Sequence, residues 1–134
     1  MQARLNWDGK MGFLATGDSG HSLKIDVNTD KGGQDSGPRP MELILHGLGG
    51  CSGIDVVAIL KKMQQEIKTL TIEIIGERAE DHPKKFTKIH LVYRVSGTDI
   101  DPEKVKRAIE LSLSKYCSVA GSLNAAITSE LIIE

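Results

Sequence analysis

Polar and apolar residues alternate from Gln2 to Trp7, with Ala3, Leu5 and Trp7 on one side and Gln2, Arg4 and Asn6 on the other. That is the period-two signature of a half-buried strand. Asp8-Gly9 follows as a hairpin turn signal, and Met11 to Ala15 reads as the returning strand. A turn at Ser19-Gly20 leads to a third run, Ser22 to Val27, in which Leu23, Ile25 and Val27 share a face. Asn28 to Pro40 collects Asn, Asp, Gly, Ser and Pro and reads as a loop.

From Met41 to Met63 the apolar period lengthens to that of a helix. Pro40 suits its start because the first turn needs no backbone N–H there. Leu45, Leu48, Ile54, Val56, Val57, Ile59 and Leu60 spread around much of the circumference, so more than one side must be buried. Lys61 and Lys62 meet the negative end of the helix dipole. Gly47, Gly49, Gly50 and Gly53 interrupt it, each costing about 1 kcal/mol relative to alanine. Close approach by another backbone or by a ligand is the expected compensation.

Leu70 to Glu77 and Phe86 to Val95 alternate again, with Ile89, Leu91, Tyr93 and Val95 on one face of the latter. The polar segment Arg78 to Lys85 joins them. Asp101-Pro102-Glu103 carries a capping acid, proline at the first position and a second acid in the first turn. The helix it opens runs on Val105, Ile109, Leu111 and Leu113 to Tyr116. A short helix capped by Ser118 extends to Asn124, and Ile127 to Glu134 closes as a strand. The order β-β-β-α-β-β-α-α-β predicts an α+β fold of antiparallel sheets around a long helix.

With 134 residues the chain is expected to be one domain, 1–134. A formal charge of -1 and the lack of a basic run argue against a nucleic-acid partner. No uninterrupted apolar run reaches the roughly 18 residues of a membrane helix, and Met1 to Trp7 holds no apolar stretch of a signal peptide. Two distant cysteines make no secreted disulfide framework. A cytoplasmic protein with reduced thiols and no membrane partner is expected.

Gly47-Leu-Gly-Gly-Cys-Ser lacks the Gly-Lys-Ser/Thr ending of a phosphate loop and lies within a helix. His21, His46, His82 and His90 are dispersed and have no zinc-ligand spacing with either cysteine. Neither a metal nor an organic cofactor is expected.

Cys51 and Cys117 each stand among small residues where a helix is predicted. A free cysteine most often packs as a small hydrophobe. A thiolate beside a second thiol has another use: it is oxidised to a sulfenic acid, which the second thiol resolves as a disulfide. Asp55 lies one helical turn beyond Cys51, on the same face. An ionised carboxylate beside a thiol disfavours the thiolate, so orienting an arginine or accepting a hydrogen bond from a partner subunit is the alternative role, beside plain pairing with an N–H or serine in a buried interface.

Pro40-Met-Glu-Leu, the stretch Gly-Gly-Cys-Ser-Gly-Ile-Asp-Val-Val from Gly49 to Val57, the long strand pair, and Tyr116-Cys-Ser-Val before a final strand together resemble the OsmC/Ohr family. That family comprises osmotically inducible and organic hydroperoxide resistance proteins. The resemblance spans nearly the whole chain and is nearest to the short OsmC-like branch. It implies an intertwined homodimer with the cysteine-bearing helices between sheets of both subunits. It also implies thiol-dependent reduction of small organic hydroperoxides, with Cys51 peroxidatic, Cys117 resolving and an external dithiol as reductant. Family members add an arginine from the amino-terminal region and a glutamate directly after the helix-start proline. Met41 stands at the glutamate position here. Glu42 is next to it, but nine residues at about 100° each put it opposite Cys51. Arg4 is the sole arginine of the first three strands, and Arg39, just before Pro40, is the candidate cation near the helix start. The rival reading is a noncatalytic OsmC-fold protein that binds a small apolar or electrophilic ligand in the dimer cleft.

Overall fold

Asp8 shapes the first hairpin. Its carboxylate accepts from the amides of Lys10 at 2.7 Å and Gly12 at 3.2 Å, while its own amide donates to the Gly12 carbonyl at 3.0 Å. Residues 8 to 12 therefore all belong to the turn, and the second strand starts at Phe13 rather than at Met11. The computed structural model describes all 134 residues, which form two compact units, Met1–Ile44 and Leu45–Glu134.

The first unit is an antiparallel sheet of β1 (Ala3–Trp7), β2 (Phe13–Gly17) and β3 (Ser22–Ile25) in that order. The register sets Leu5, Ala15 and Leu23 side by side, and likewise Trp7, Phe13 and Ile25. Alternation thus gathers the apolar residues on one face, yet that face is uncovered: Trp7 is 65% exposed and Leu5 53%. The loop after β3 is fastened by buried Asp26, which accepts from the amides of Val27, Gln34 and Ser36 and from the Ser36 hydroxyl. Those hydrogen bonds hold its carboxyl well below the usual carboxylate range, the Ser36 hydroxyl contributing most.

Helix α1 (Pro40–Lys62) begins at the expected proline, and its first turn falls in the first unit. In the second unit Leu48, Ser52, Val56 and Leu60 form a buried stripe at four-residue spacing. A Cβ on Gly49 would collide with Ile74 Cδ1, and one on Gly53 would lie 3.1 Å from Ile72 Cδ1. At these two positions the close approach is to side chains, not to another backbone, while a Cβ on Gly50 would meet nothing within 4 Å. The helix is long and apolar enough to cross a membrane by length and composition, although no uninterrupted run predicted this. One face of it packs within the second unit through the buried stripe and the hydrogen bonds of Ser52 and Asp55, while Ile54 and Val57 on another face are exposed.

The second sheet orders β4 (Glu66–Arg78), β5 (Phe86–Thr98) and β6 (Ala126–Ile133). Ile72, Tyr93 and Leu131 align across it, as do Ile74, Leu91 and Ser129, and Leu91, Tyr93 and Val95 are fully buried. β4 and β5 are antiparallel as expected, but β6 runs parallel to β5. Parallel pairing needs a crossover connection. It is supplied by α2 (Pro102–Leu111), a π-helical turn (Ser112–Tyr116) and α3 (Ser118–Ser122). Asp101 caps α2 as predicted, accepting from the Glu103 amide at 3.0 Å.

Candidate active site

The π turn determines where Cys117 lies. The Cys117 amide donates to the Ser112 carbonyl, five residues back, at 2.7 Å, and the chain then becomes extended at Cys117 before α3. Its sulfur accepts from the Ala120 amide at 3.4 Å. Cys117 itself, rather than Ser118, is therefore the cap of α3. π turns recur at functional sites, and this one places Cys117 against the middle of α1. The sulfurs of Cys51 and Cys117 and a carboxylate oxygen of Asp55 all lie within 4.8 Å of one another.

Both thiols are free; Cys51 is half-buried and Cys117 buried. Burial pushes the Cys117 thiol up, against the pull of the Ala120 N–H, and the neighbouring Cys51 raises it further. Cys51 is the more accessible residue of the pair, and Cys117 is its buried partner, kept protonated.

Asp55 finds a serine. Ser112 Oγ lies 3.0 Å from Asp55 Oδ2 and 2.9 Å from Ser52 Oγ, which is 2.6 Å from the Tyr93 hydroxyl. Ser52, Ser112 and Tyr93 are fully buried. Each hydroxyl has one proton, and an ionised carboxylate only accepts. With Asp55 ionised, Ser112 donates to it, Ser52 donates to Ser112, and Tyr93 donates to Ser52. Burial raises the Tyr93 phenol, the Ser52 hydrogen bond opposes this, and the nearby Cys117 and Asp55 add to the rise. Tyr93 is thus a neutral donor.

The other two candidates lie in the first unit. Arg39 pairs with Asp35 at 2.6 Å and donates to the Gly37 carbonyl at 2.9 Å. Glu42 is in the first turn of α1 and is exposed. Ser52, Tyr93 and Ser112 were not singled out from sequence, although a tyrosine on the inward face of β5 and a serine in the apolar stripe of α1 were visible signs. Contrary to the expectation from the dispersed histidines, Cys51, Asp55 and Cys117 do form one cluster, whose two sulfurs and one oxygen are donors that could hold zinc.

The family model for OsmC-like protein matches residues 33–132, which include both cysteines and the whole hydroxyl chain. The chain belongs to the OsmC-like family. The chain is 42% identical over 127 residues to the protein YhfA of Escherichia coli K12, covering 95% of this chain and 92% of that one. A crystal structure of an Aquifex aeolicus protein superposes with a TM-score of 0.81 at 34% identity, covering 99% of this chain and 96% of the other. The organic hydroperoxide resistance protein OhrB of Bacillus subtilis shares the fold, with a TM-score of 0.62 at 21% identity over 100% of this chain and 98% of its own.

Proposed function

We propose that this OsmC-like protein is a cytoplasmic, thiol-dependent reductase of small organic hydroperoxides that works in oxidative or osmotic stress defence. The observation that carries the reading is the meeting of Cys51 and Cys117 within 4.8 Å, from positions on α1 and at the end of the π turn. At that separation a sulfenic acid on one sulfur is within side-chain reach of the other. Cys51, the more accessible residue of the pair, attacks the peroxide; Cys117 closes the disulfide; an external dithiol reopens it. In this cycle the electrons pass through the two sulfurs.

The working form is a homodimer. The apolar face of β1 to β3 is uncovered. In the second unit, Gly50, Ile54, Val57, Leu70 and Ile72 line an apolar groove of about 720 Å³ in which Ile54 is 73% exposed. Apolar surface of this kind marks an interface, and a second copy of the chain is its occupant.

The test is the intact mass after substoichiometric treatment of the reduced protein with an aromatic organic hydroperoxide. Loss of two hydrogens, about 2 Da, with both thiols protected from alkylation, is the expected result. Free thiols after exposure to excess hydroperoxide would overturn the reading and favour the noncatalytic binding of a small apolar ligand.

A further inference from the structure

Both half-reactions of a two-cysteine cycle move a proton as well as electrons. Cys51 and Cys117 share one group that can carry it, since a carboxylate oxygen of Asp55 lies within 4.8 Å of each sulfur. That is the range of direct contact after a rotamer change or of one bridging water. A carboxylate offers about four acceptor sites, and Ser112 takes one of them at Oδ2. Ser112 is itself held by Ser52, and Ser52 by Tyr93. Because Tyr93, Ser52 and Ser112 are fully buried, the carboxylate is fastened to the core at one oxygen and still has capacity to take a proton.

Resting on the peroxidase reading, we infer that Asp55 is the proton carrier of the cysteine pair, serving both sulfurs in turn, with Ser112, Ser52 and Tyr93 as its positioning residues. In the first step the Cys51 thiol gives its proton to Asp55 as its sulfur attacks the hydroperoxide. An S–O bond forms, the O–O bond breaks, the sulfur loses two electrons and the peroxide gains them. Asp55 returns the proton to the departing alkoxide, so that thiol and hydroperoxide become sulfenic acid and alcohol. In the second step Asp55 takes the Cys117 proton as that sulfur attacks the Cys51 sulfenic acid. An S–S bond forms, the S–O bond breaks, and the proton leaves with hydroxide as water. Asp55 ends each step ionised, as it began.

The second step is where a carrier matters most. Burial and the neighbouring sulfur keep Cys117 protonated, so it needs a base close by to become a nucleophile. The groups that face Asp55 across this cluster are the two thiols and the hydroxyls of Ser112, Ser52 and Tyr93. Asp55 is the one carboxylate among them, and an ionised carboxylate only accepts, whereas each thiol and hydroxyl already carries a proton of its own.

Asp55→Asn tests this with a sign that separates proton transfer from simple electrostatics. The amide keeps an oxygen for Ser112 but cannot carry the proton. If Asp55 acted only through its charge, removing it would favour both thiolates and speed both steps. A carrier predicts the reverse. With the hydroperoxide, sulfenic acid and disulfide formation are both expected to slow by about 100-fold or more, the lower range of general acid–base contributions.

A peroxide-free arm uses an aromatic disulfide that releases a coloured thiolate. Cys51 attacks it and releases one equivalent, then Cys117 attacks the mixed disulfide and releases the second. Asp55→Asn is expected to slow the second release, and Ser112→Ala to slow it about 10-fold, a small part of the range open to acid–base groups. Asp55→Glu is expected to restore part of the rate. Release by Asp55→Asn at or above the wild-type rate would overturn the inference, and Ser112→Ala applies the same criterion where the asparagine variant does not fold. If the wild-type protein ignores hydroperoxide yet shows the Asp55-dependent second release, the peroxidase reading fails and the proton carrier stands. If the wild-type protein is oxidised by hydroperoxide and Asp55→Asn matches it in both arms, only the carrier fails.

Discussion

The hydroxyls of Ser52 on α1 and Tyr93 on β5 lie 2.6 Å apart, and neither side chain touches solvent. This contact pins the helix segment next to Cys51 to the inward face of the second sheet, in register with the π turn through Ser112. Burial without a partner would be costly for either hydroxyl, so the pair fixes position as much as it adds stability.

Tyr93→Phe should therefore destabilise the second unit by about 0.5–1.5 kcal/mol, since Ser52 keeps Ser112, and Ser52→Ala by about 1–3 kcal/mol, since it leaves the Tyr93 hydroxyl unpaired. Removing both should cost less than the sum, because Ser52→Ala strands the Tyr93 hydroxyl and the double variant does not. Urea unfolding of the two single variants and the double variant measures this. Strict additivity would show that the 2.6 Å contact carries no coupling.

Ile54 and Val57 turn apolar side chains outward from α1 into the groove lined by Leu70 and Ile72. A carboxylate there would be stripped of water by a second copy of the chain but would cost nothing in an isolated protomer. Ile54→Glu should leave the far-ultraviolet spectrum unchanged and weaken the dimer by at least about 30-fold, the ~2 kcal/mol of a central interface residue. Light scattering across a dilution series reads it directly. A wild-type protein that elutes as a monomer at every concentration would refute the homodimer.

The strand faces could be read in the sequence because alternation has a fixed period. Leu70, Ile72 and Ile74 opposite Ile89, Leu91, Tyr93 and Val95 follow from spacing alone, and the register confirms them. The direction of β6 could not be read this way: whether it runs with or against β5 depends on the path of the crossover, which leaves no mark in residues 126–133. The site divides similarly. Cys51 and Asp55 share a face by helical period, but Cys117 reaches them through a π turn, whose hydrogen bond spans five residues and shifts the helical register. The hydroxyl chain joins residues 41 and 60 positions apart, a distance that no local pattern reports.

The assigned roles of the two sulfurs differ in what each single variant leaves behind. Cys51→Ser should abolish hydroperoxide consumption, since Cys117 is buried and its thiol is pushed up. Cys117→Ser should still complete one oxidation per chain and stop at a sulfenic acid, about 16 Da heavier and open to capture by a carbon nucleophile. Mass spectrometry with and without that trap distinguishes the two. Undiminished turnover by Cys51→Ser would reverse the assignment.

Asp26 gives the first unit a dependence on pH whose sign follows from its hydrogen bonds. The Ser36 hydroxyl and the amides of Val27, Gln34 and Ser36 favour the carboxylate in the folded loop and not in the unfolded chain. A folded value below the unfolded one means stability that is fully present above about pH 4, the ordinary aspartate range, and lost as pH falls through the folded value. Asp26→Asn removes the ionisable oxygen and leaves an N–H group facing donors. The variant should be clearly less stable than wild type at pH 7, and the gap should narrow as the pH is lowered below about 4. Denaturant unfolding of both proteins at pH 7, 5, 4 and 3 measures the gap; a difference that stays constant across that series would show that the Asp26 charge does not fasten the loop.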